Sequence, residues 1–278
     1  MTTDIAHAAT AVSAGKAEPV RYYPMRDTLT LLRRNLKNQL RDKVGLLAII
    51  AIPTLFLLLF VYVFGGALGK TTVNLGAHRY VDYVLPGLII QTAAAGLIGV
   101  ATHSAMDMTE GFVSRLRTMP VFSYAILLAR VASFLIQTLV SMVVVFGIAM
   151  LMGLSPTADV LGWVAIIGFV AYVSFALIWL GLAFGLAAKS MASASNGPFP
   201  LIFLPLVGSG IVPPETMPTG LRYFAQYQPF SPMIDTLRGL MFGTPIGNSA
   251  YIALAWITGI GLLGFAWSMK AFKRERPS

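Results

Sequence analysis

The 278-residue chain has no cysteine, only three histidines and few charged residues. Without cysteine it can form no disulfide, thiolate metal site or thiol nucleophile, and three scattered histidines argue against a zinc site. Charged residues make up 11% of the chain, against about 25% in an average soluble domain, whereas 56% are hydrophobic. A soluble globule of this size cannot bury so much apolar surface, which argues against a soluble enzyme.

What the chain has instead is long apolar runs. Five are long enough to cross about 30 Å of hydrocarbon, and a sixth is shorter and rich in proline. The six runs are Val44–Phe64, Val84–Ser104, Val131–Met152, Leu161–Ala187, Phe199–Val212 and Tyr251–Met269. The proline-rich run is the fifth, and taken alone it is also consistent with a re-entrant segment.

The positive charges are distributed unevenly between these runs. Sixteen of the 20 Lys and Arg residues fall before the first run, after the last, or in loops on the same side of the membrane. Under the positive-inside rule this side is cytoplasmic, so both termini are cytoplasmic and the number of crossings is even. The fifth run is therefore predicted to cross. The net charge of +9 is thus explained by the orientation of the chain in the membrane, and it no longer supports binding of nucleic acid.

The chain divides into four predicted parts. Residues 1–26 form a disordered cytoplasmic tail, residues 44–270 a transmembrane domain, and residues 271–278 a second cytoplasmic tail. Residues 27–43 place leucines at helical spacing opposite Arg and Lys, which predicts an amphipathic helix on anionic headgroups. This helix either anchors the first span only or also contacts a cytoplasmic partner.

The loop between the second and third runs reads DMTEGFVSRLRTMP, residues 107–120. Its spacing predicts a short amphipathic helix parallel to the membrane, with Phe112 and Leu116 on one face and Arg115 and Arg117 turned elsewhere. An ordinary cytoplasmic loop is the alternative. The sharper hypothesis is a mechanical contact, in which an apolar knob flanked by charges enters a cleft of a soluble subunit.

The stretch from residue 196 to residue 242 is neither plainly polar nor a clean span. Apolar residues at helical spacing predict two short amphipathic helices, Leu221–Tyr227 and Met233–Leu240, separated by a bend that contains Pro229 and Pro232. We expect these helices to enter the outer leaflet and return, because irregular backbone at that depth must pack against protein or line a cavity. A mildly hydrophobic surface loop is the alternative.

Together the two loops resemble the membrane subunits of type-2 ATP-binding-cassette exporters, particularly daunorubicin-resistance-type drug and lipid permeases. The cytoplasmic loop contributes Asp107, Gly111, Arg115, Arg117 and Pro120, followed by Arg130. The external loop contributes Pro213, Met217, Pro218, Leu221, Phe224, Ala225, Gln228, Pro229 and Arg238. The resemblance covers about residues 27–276.

The resemblance implies an all-α integral membrane fold with six transmembrane helices, cytoplasmic termini, an N-terminal amphipathic helix, a cytoplasmic coupling helix and external re-entrant helices before the last span. The implied ATPase-coupling residues are Asp107, Glu110, Gly111, Phe112, Arg115, Leu116, Arg117 and Pro120. The implied external gate residues are Pro213, Met217, Pro218, Leu221, Phe224, Gln228, Pro229 and Arg238.

The resemblance also implies partners. Two permease subunits, either identical or sister chains, work with two separate ATPase subunits that carry ATP and Mg. This chain itself is expected to hold no cofactor, since residues 64–71 resemble a P-loop but lack its first glycine. Membrane lipids are the remaining expected partner.

A few groups inside the runs are polar or small. Gln91, Gln137 and Ser141 are candidates for a translocation path, although such side chains often only bond across helices. Gly181 and Gly185 lie four residues apart, which more often marks close helix packing within a subunit than a dimer seam.

These observations favour an exporter permease that moves amphipathic drugs, antibiotics or lipids. We expect it to lie in a cell membrane, the inner membrane of a bacterium. Export of a polysaccharide, a polyol or a lipid-linked glycan is the alternative. An intramembrane enzyme is disfavoured because the carboxylates lie in loops or at span ends. These carboxylates are Asp82, Asp107, Asp159, Glu215 and Asp235.

Overall fold

The computed structural model describes residues 24–65, 80–109, 124–214 and 217–274. These residues form ten α-helices and contain no strand, which confirms the all-helical prediction for this part of the chain. The helices are α1 (Pro24–Arg41), α2 (Lys43–Leu59), α3 (Tyr80–Thr109), α4 (Ala125–Leu151), α5 (Val160–Ala187), α6 (Met191–Asn196), α7 (Phe199–Val207), α8 (Thr219–Tyr227), α9 (Phe230–Phe242) and α10 (Ser249–Arg274). A π-helical turn, Phe60–Phe64, continues α2.

Five helices are long and apolar enough to cross a membrane: α2, α3, α4, α5 and α10. Each of these helices corresponds to one of the predicted apolar runs, and the bounds of helix and run differ by only a few residues at each end. Helix α3 has 30 residues, which at 1.5 Å per residue is about 45 Å and so exceeds the hydrocarbon thickness. Its extra turns carry Asp82 and Asp107 to the two ends of the apolar region.

The proline-rich fifth run differs most from its prediction. Phe199–Val212 is not one helix, because α7 ends at Val207 and a turn with two glycines, Gly208 and Gly210, follows. Pro198 precedes α7, where a missing backbone N–H costs little. The short helix α6 comes before it, and its capping residue Ser190 accepts a hydrogen bond from the Ser193 backbone N–H (3.2 Å).

Helix α3 is the centre of the bundle. In its most apolar stretch 78% of the residues are buried, against 17–39% in the other four long helices. Helix α5 packs closely on it at Gly181, where a Cβ would lie 3.0 Å from the Leu97 carbonyl oxygen, and at Gly185, which faces Ala101. The prediction that these two glycines mark packing within the subunit is confirmed.

The bundle has two ends. At the first, named here the α1 end, α3 finishes, α4 begins and Lys270 and Arg274 of α10 lie close to Ala105. At the opposite end, named the α9 end, α3 begins and α9 packs beside it. Helices α6 and α7 connect the two, because Ser190 lies near Ala105 and the Ile211 carbonyl accepts a hydrogen bond from the Tyr80 hydroxyl (3.1 Å).

Candidate functional site

An ion pair joins α3 to α4 at the α1 end. The Arg130 guanidinium contacts the Asp107 carboxylate, and the two side chains are only 10% and 20% exposed. Asp107 lies in the last turns of α3, and Arg130 lies in the second turn of α4. Because the loop predicted to form the coupling helix connects these two helices, the ion pair ties together the helices on both sides of that loop.

The amphipathic segment that precedes the first span also reaches this ion pair. Residues of α1, α2, α3 and α4 line a cavity of about 140 Å³, named here the polar cavity. Among its lining residues are Arg34, Asn38, Asp42, His103, Asp107 and Arg130. The Asp42 carboxylate caps α2 by accepting a hydrogen bond from the Gly45 backbone N–H (3.0 Å). The amphipathic segment therefore lies beside Asp107, the described end of the loop between α3 and α4.

Most of the predicted ATPase-coupling residues fall outside the described part of the chain. Asp107 is the member of that set that the structure describes. The others are Glu110, Gly111, Phe112, Arg115, Leu116, Arg117 and Pro120, which lie within the undescribed residues 110–123. Their proposed contacts with an ATPase stay a prediction.

At the α9 end, Arg238 connects three parts of the chain. Its Nη1 donates to Asp235 Oδ1 (2.8 Å), and its Nη2 donates to the carbonyl oxygens of Ser209 (2.7 Å) and Tyr83 (3.3 Å). The guanidinium carbon also lies 4.1 Å from the centre of the Tyr83 ring, a cation–π arrangement. Arg238 thus joins α9, the turn after α7 and the beginning of α3.

Further hydrogen bonds strengthen this junction, named here the Arg238 network (Tyr83, Ser209, Asp235 and Arg238). The Ser209 hydroxyl donates to Asp235 Oδ1 (2.8 Å), and the Tyr83 hydroxyl donates to the Ser209 carbonyl oxygen (3.0 Å). Backbone contact adds to them, since a Cβ on Gly87 of α3 would lie 2.5 Å from the Gly210 Cα. The turn after α7 therefore packs directly on the α3 backbone.

The bend between α8 and α9 is held by Gln228, which is 5% exposed. Its Nε2 donates to the Leu204 carbonyl oxygen (2.8 Å) and to the Ser231 hydroxyl (3.3 Å). The Ser231 hydroxyl in turn donates to the Ala225 carbonyl oxygen. Pro229 immediately precedes α9. The two short helices predicted from the sequence are thus present, and side-chain hydrogen bonds fix the bend between them. The predicted bend is too long, because α9 already begins at Phe230 and Pro232 lies in its first turn, where proline is tolerated.

The predicted gate residues divide into a buried group and an exposed group. Gln228 and Arg238 are built into the packing, whereas Pro218, Leu221 and Phe224 are exposed. Pro213 and Met217 are half-buried. The exposed side chains of α8 include two further tyrosines, Tyr223 and Tyr227. Helix α8 therefore presents an aromatic, apolar face on a well-anchored hairpin.

Several residues of the Arg238 network were not found from the sequence. Tyr83, Ser209 and Asp235 carry no motif that links them, because they lie far apart in the chain. The available signal was the pair of tyrosines, Tyr80 and Tyr83, at the beginning of an apolar run, where aromatic residues favour the membrane interface. The contact between Gly87 and Gly210 also has no signal in the sequence, because it depends on tertiary packing.

Two of the three candidate path residues come together, because Gln137 and Ser141 line the same space between α1, α2 and α4, whereas Gln91 does not line it. Ser141 donates a hydrogen bond to the Ile49 carbonyl oxygen of α2 (2.8 Å). That carbonyl lacks its usual helical partner because residue 53 is proline and has no N–H. Gln137 lies one turn earlier on α4, whereas Gln91 is buried within α3. Ser141 therefore acts as a link between helices, as polar residues inside membranes often do.

The described carboxylates at the span ends have structural partners. Asp82 accepts a hydrogen bond from the Ser155 backbone N–H (3.3 Å), and Asp159 caps α5 by accepting one from Gly162 (2.7 Å). Asp107 and Asp235 pair with arginines. Within residues 24–65, 80–109, 124–214 and 217–274, no three His, Asp or Glu side chains cluster as a metal site would require. The four described carboxylates at the span ends therefore do not form a paired-carboxylate site.

Comparison with known proteins identifies the family. A sequence profile of the ABC-2 type transporter family matches residues 26–242. The chain belongs to this family. It is 28% identical over 239 residues to the daunorubicin resistance ABC transporter permease protein DrrB1 of Streptomyces coeruleorubidus, with 84% of this chain and 81% of that protein covered.

Two more relatives extend the comparison. The probable doxorubicin resistance ABC transporter permease protein DrrC of Mycobacterium tuberculosis is 25% identical over 240 residues, with 84% and 83% covered. The putative transport permease ycf38 of Porphyra purpurea is 25% identical over 248 residues, with 84% and 81% covered. Together with the five long apolar helices, these matches make the chain a multi-pass membrane protein and a transporter subunit of the ABC-2 family.

Proposed function

We propose that this ABC-2 chain is the permease subunit of an ATP-driven exporter of amphipathic drugs or lipids. A separate ATPase subunit, which binds ATP and Mg, docks on residues 107–120. Two permease copies, or this chain and a sister permease, form the translocation path between them. The names of the relatives, which describe daunorubicin and doxorubicin resistance, support this substrate class.

The observation that carries the proposal is the position of α3. This buried helix ends beside the coupling loop at the Asp107–Arg130 ion pair and begins at the Arg238 network. A well-packed helix of about 45 Å moves as a unit, because close-packed interiors deform little. A push on the loop by the ATPase therefore reaches α8 and α9 through α3, as coupling through contiguous packed elements requires.

We further propose six crossings with both termini in the cytoplasm. Among the described residues, every Lys and Arg other than Arg222 and Arg238 lies toward the α1 end, which supports a cytoplasmic α1 end under the positive-inside rule. The course of α6 and α7 along α3 supports a crossing by the proline-rich segment. The α8–α9 hairpin then acts as the external re-entrant gate, with its exposed aromatic face toward the path or the partner subunit.

The test uses inside-out membrane vesicles that contain the chain with its cognate ATPase, and daunorubicin as the fluorescent substrate. We expect ATP-dependent accumulation of daunorubicin in the vesicles. Arg115→Glu should lower the rate at least about tenfold without loss of protein from the membrane, because it reverses a charge in the docking loop. Lys70→Glu, a charge reversal in the predicted external loop after the first run and outside the proposed gate, is the matched control and should transport normally.

Two results would count against the proposal. If the Arg115→Glu permease still copurifies with the ATPase and exports at the normal rate, residues 107–120 are not the docking element. If ATP drives no drug or lipid movement but drives export of a lipid-linked glycan, the substrate class is the polysaccharide alternative.

A further inference from the structure

Next to the polar cavity lies a second space of opposite character. It has a volume of about 260 Å³, is almost entirely apolar and lies between α1, α2 and α4; it is named here the apolar groove. Leu40, Ile49, Ile136 and Val140 are among its lining residues. Leu40, Ile136 and Val140 are also substantially exposed, so the groove opens sideways toward lipid.

The cavity and the groove follow one another along α4. Arg130 and Ser133 line the cavity, whereas Val140 and Ser141 line the groove. Eleven residues separate Arg130 from Ser141, which corresponds to about 16 Å along the helix. The cavity wall contains charged side chains and the groove wall contains none, so charged groups give way to apolar ones along α4 from the α1 end, in the same order as headgroup and acyl chain in a lipid leaflet. The two volumes together fall in the usual range of about 300–1,000 Å³ for ligand sites.

Gln137 lies where the two spaces meet and lines both of them. Its Oε1 is buried and has no hydrogen-bond partner among the described residues. An unpaired buried amide oxygen costs about 1–3 kcal/mol, so such groups normally have a partner. A hydrogen-bond donor on a bound molecule, at the junction of its polar and apolar parts, would supply that partner.

The charge around the cavity favours an anionic molecule. Helix α1 carries five cationic residues and one acidic residue, Asp27. The cationic residues are Arg26, Arg33, Arg34, Lys37 and Arg41. The two carboxylates on the cavity wall are already engaged, Asp107 with Arg130 and Asp42 with the N-terminus of α2. An anionic headgroup in the cavity therefore has Arg34 on the cavity wall and the basic helix α1 beside it, as at other basic segments beside membranes.

We propose that the polar cavity and the apolar groove form one binding site for a single anionic phospholipid. The headgroup occupies the polar cavity beside Arg34, one acyl chain lies in the apolar groove, and a hydroxyl near the glycerol of the headgroup donates to Gln137. This site is formed within one permease subunit and does not depend on the exporter function proposed above. Its occupancy would brace α1 against α4 next to the Asp107–Arg130 ion pair.

The test uses the full-length permease, without an ATPase, in phosphatidylcholine vesicles that contain a trace of phosphatidylglycerol with a photoreactive acyl chain. Illumination and peptide mapping report where the chain lies. We expect labels on residues 46–50 and 136–141, and we expect them to disappear when unlabelled phosphatidylglycerol is added in excess. Excess phosphatidylcholine should compete at least about fivefold less well.

Two tryptophan variants form the matched pair for this experiment. Val140→Trp fills the groove at an exposed position and should lower labelling of residues 46–50 about fivefold or more. Val143→Trp lies on the same helix, is 71% exposed and is outside the groove, so it should leave labelling unchanged. Gln137→Leu should weaken competition by phosphatidylglycerol about two- to tenfold, the usual effect of one lost hydrogen bond.

Three results would overturn the proposal. Equal labelling in the Val140→Trp and Val143→Trp proteins would mean that the label comes from ordinary lipid at the protein surface and not from a bound molecule in the groove. Equal competition by phosphatidylcholine would mean a site without anion preference. Displacement by millimolar glycerol 3-phosphate alone would mean a site for soluble phosphates. Because no transport is measured, none of these results bears on the exporter proposal.

Discussion

At the α9 end of α3 the polar side chains bond largely to backbone carbonyls, whereas at the α1 end the ion pair between α3 and α4 joins two side chains. Arg238 reaches the carbonyl oxygens of Ser209 and Tyr83, and Tyr80 reaches that of Ile211. Asp107 and Arg130 instead meet through flexible side chains beside a cavity. Bonds to the backbone break only if a segment moves, but a side-chain pair tolerates small shifts of its helices.

Under the proposed function, the two ends have different mechanical roles. The α9 end would be a rigid junction in which α3, the turn after α7 and α9 move together. The α1 end would be a joint that transmits force while α1 and α4 adjust around the polar cavity. Such an arrangement would convert a displacement of residues 107–120 into a displacement of the α8–α9 hairpin, as switching between two packed states requires.

Breaking the ion pair at the α1 end should give the largest effect. Arg130→Leu leaves the Asp107 carboxylate unpaired in a mostly buried position, which we expect to cost about 2–4 kcal/mol of stability and most of the ATP-driven transport. Thermal unfolding in detergent and vesicle transport measure the two losses. The exchanged pair, Asp107→Arg with Arg130→Asp, should recover a large part of both.

Lys270→Leu, which removes an exposed cation at the same end, is the control, and its stability and transport rate should be near normal. If the exchanged pair recovers nothing and Arg130→Leu is no worse than Lys270→Leu, the ion pair does not connect the helices beside the coupling loop.

Crowding the rigid junction should give the next largest effect. A methyl group on Gly87 would meet the Gly210 backbone, which cannot give way as a side chain would. We expect Gly87→Ala to lower the stability by about 1–3 kcal/mol, measured by thermal unfolding. Gly259→Ala is the matched control, since a methyl group there meets nothing within 4 Å and should stabilise the helix slightly. Equal melting temperatures for the two variants would mean that the turn after α7 is not packed on α3.

The smallest of these effects is expected from Arg238→Lys. Lysine keeps the charge but cannot reach Asp235 and two carbonyls at once, because it lacks the guanidinium fork. We expect a loss of about 1–2 kcal/mol in the same unfolding assay, with Arg222→Lys on the exposed face of α8 as an unaffected control. Identical stability of the two proteins would indicate that Arg238 contributes only its charge.

The sequence predicted the elements better than it predicted their contacts. The long apolar runs reveal α2, α3, α4, α5 and α10 directly, because a membrane requires such lengths. The α8–α9 pair was also visible, since Pro229 and Pro232 interrupt two amphipathic stretches. The end of α7 at Val207 was not predicted from the apolar run, although Gly208 and Gly210 follow it directly and glycine commonly ends a helix.

The contacts of the candidate site depend on residues distant in sequence. The sequence predicts Arg238 as a gate residue, but its partner Tyr83 lies 155 positions earlier. Asp107 and Arg130 both belong to the motif of the cytoplasmic loop, yet their pairing requires the relative placement of α3 and α4. The polar cavity has no sequence signature either, since it is formed by four helices.

Nucleotide-driven motion at the α1 end should reach the α8–α9 hairpin, and this motion can be measured directly because the chain has no cysteine. Spin labels at Leu221→Cys on α8 and Tyr251→Cys on α10 occupy exposed positions at the α9 end. In the complex with the cognate ATPase, trapping with ATP should change the distance between the labels by about 2 Å or more, and Arg115→Glu should abolish the change. An unchanged distance in the trapped complex would contradict the account.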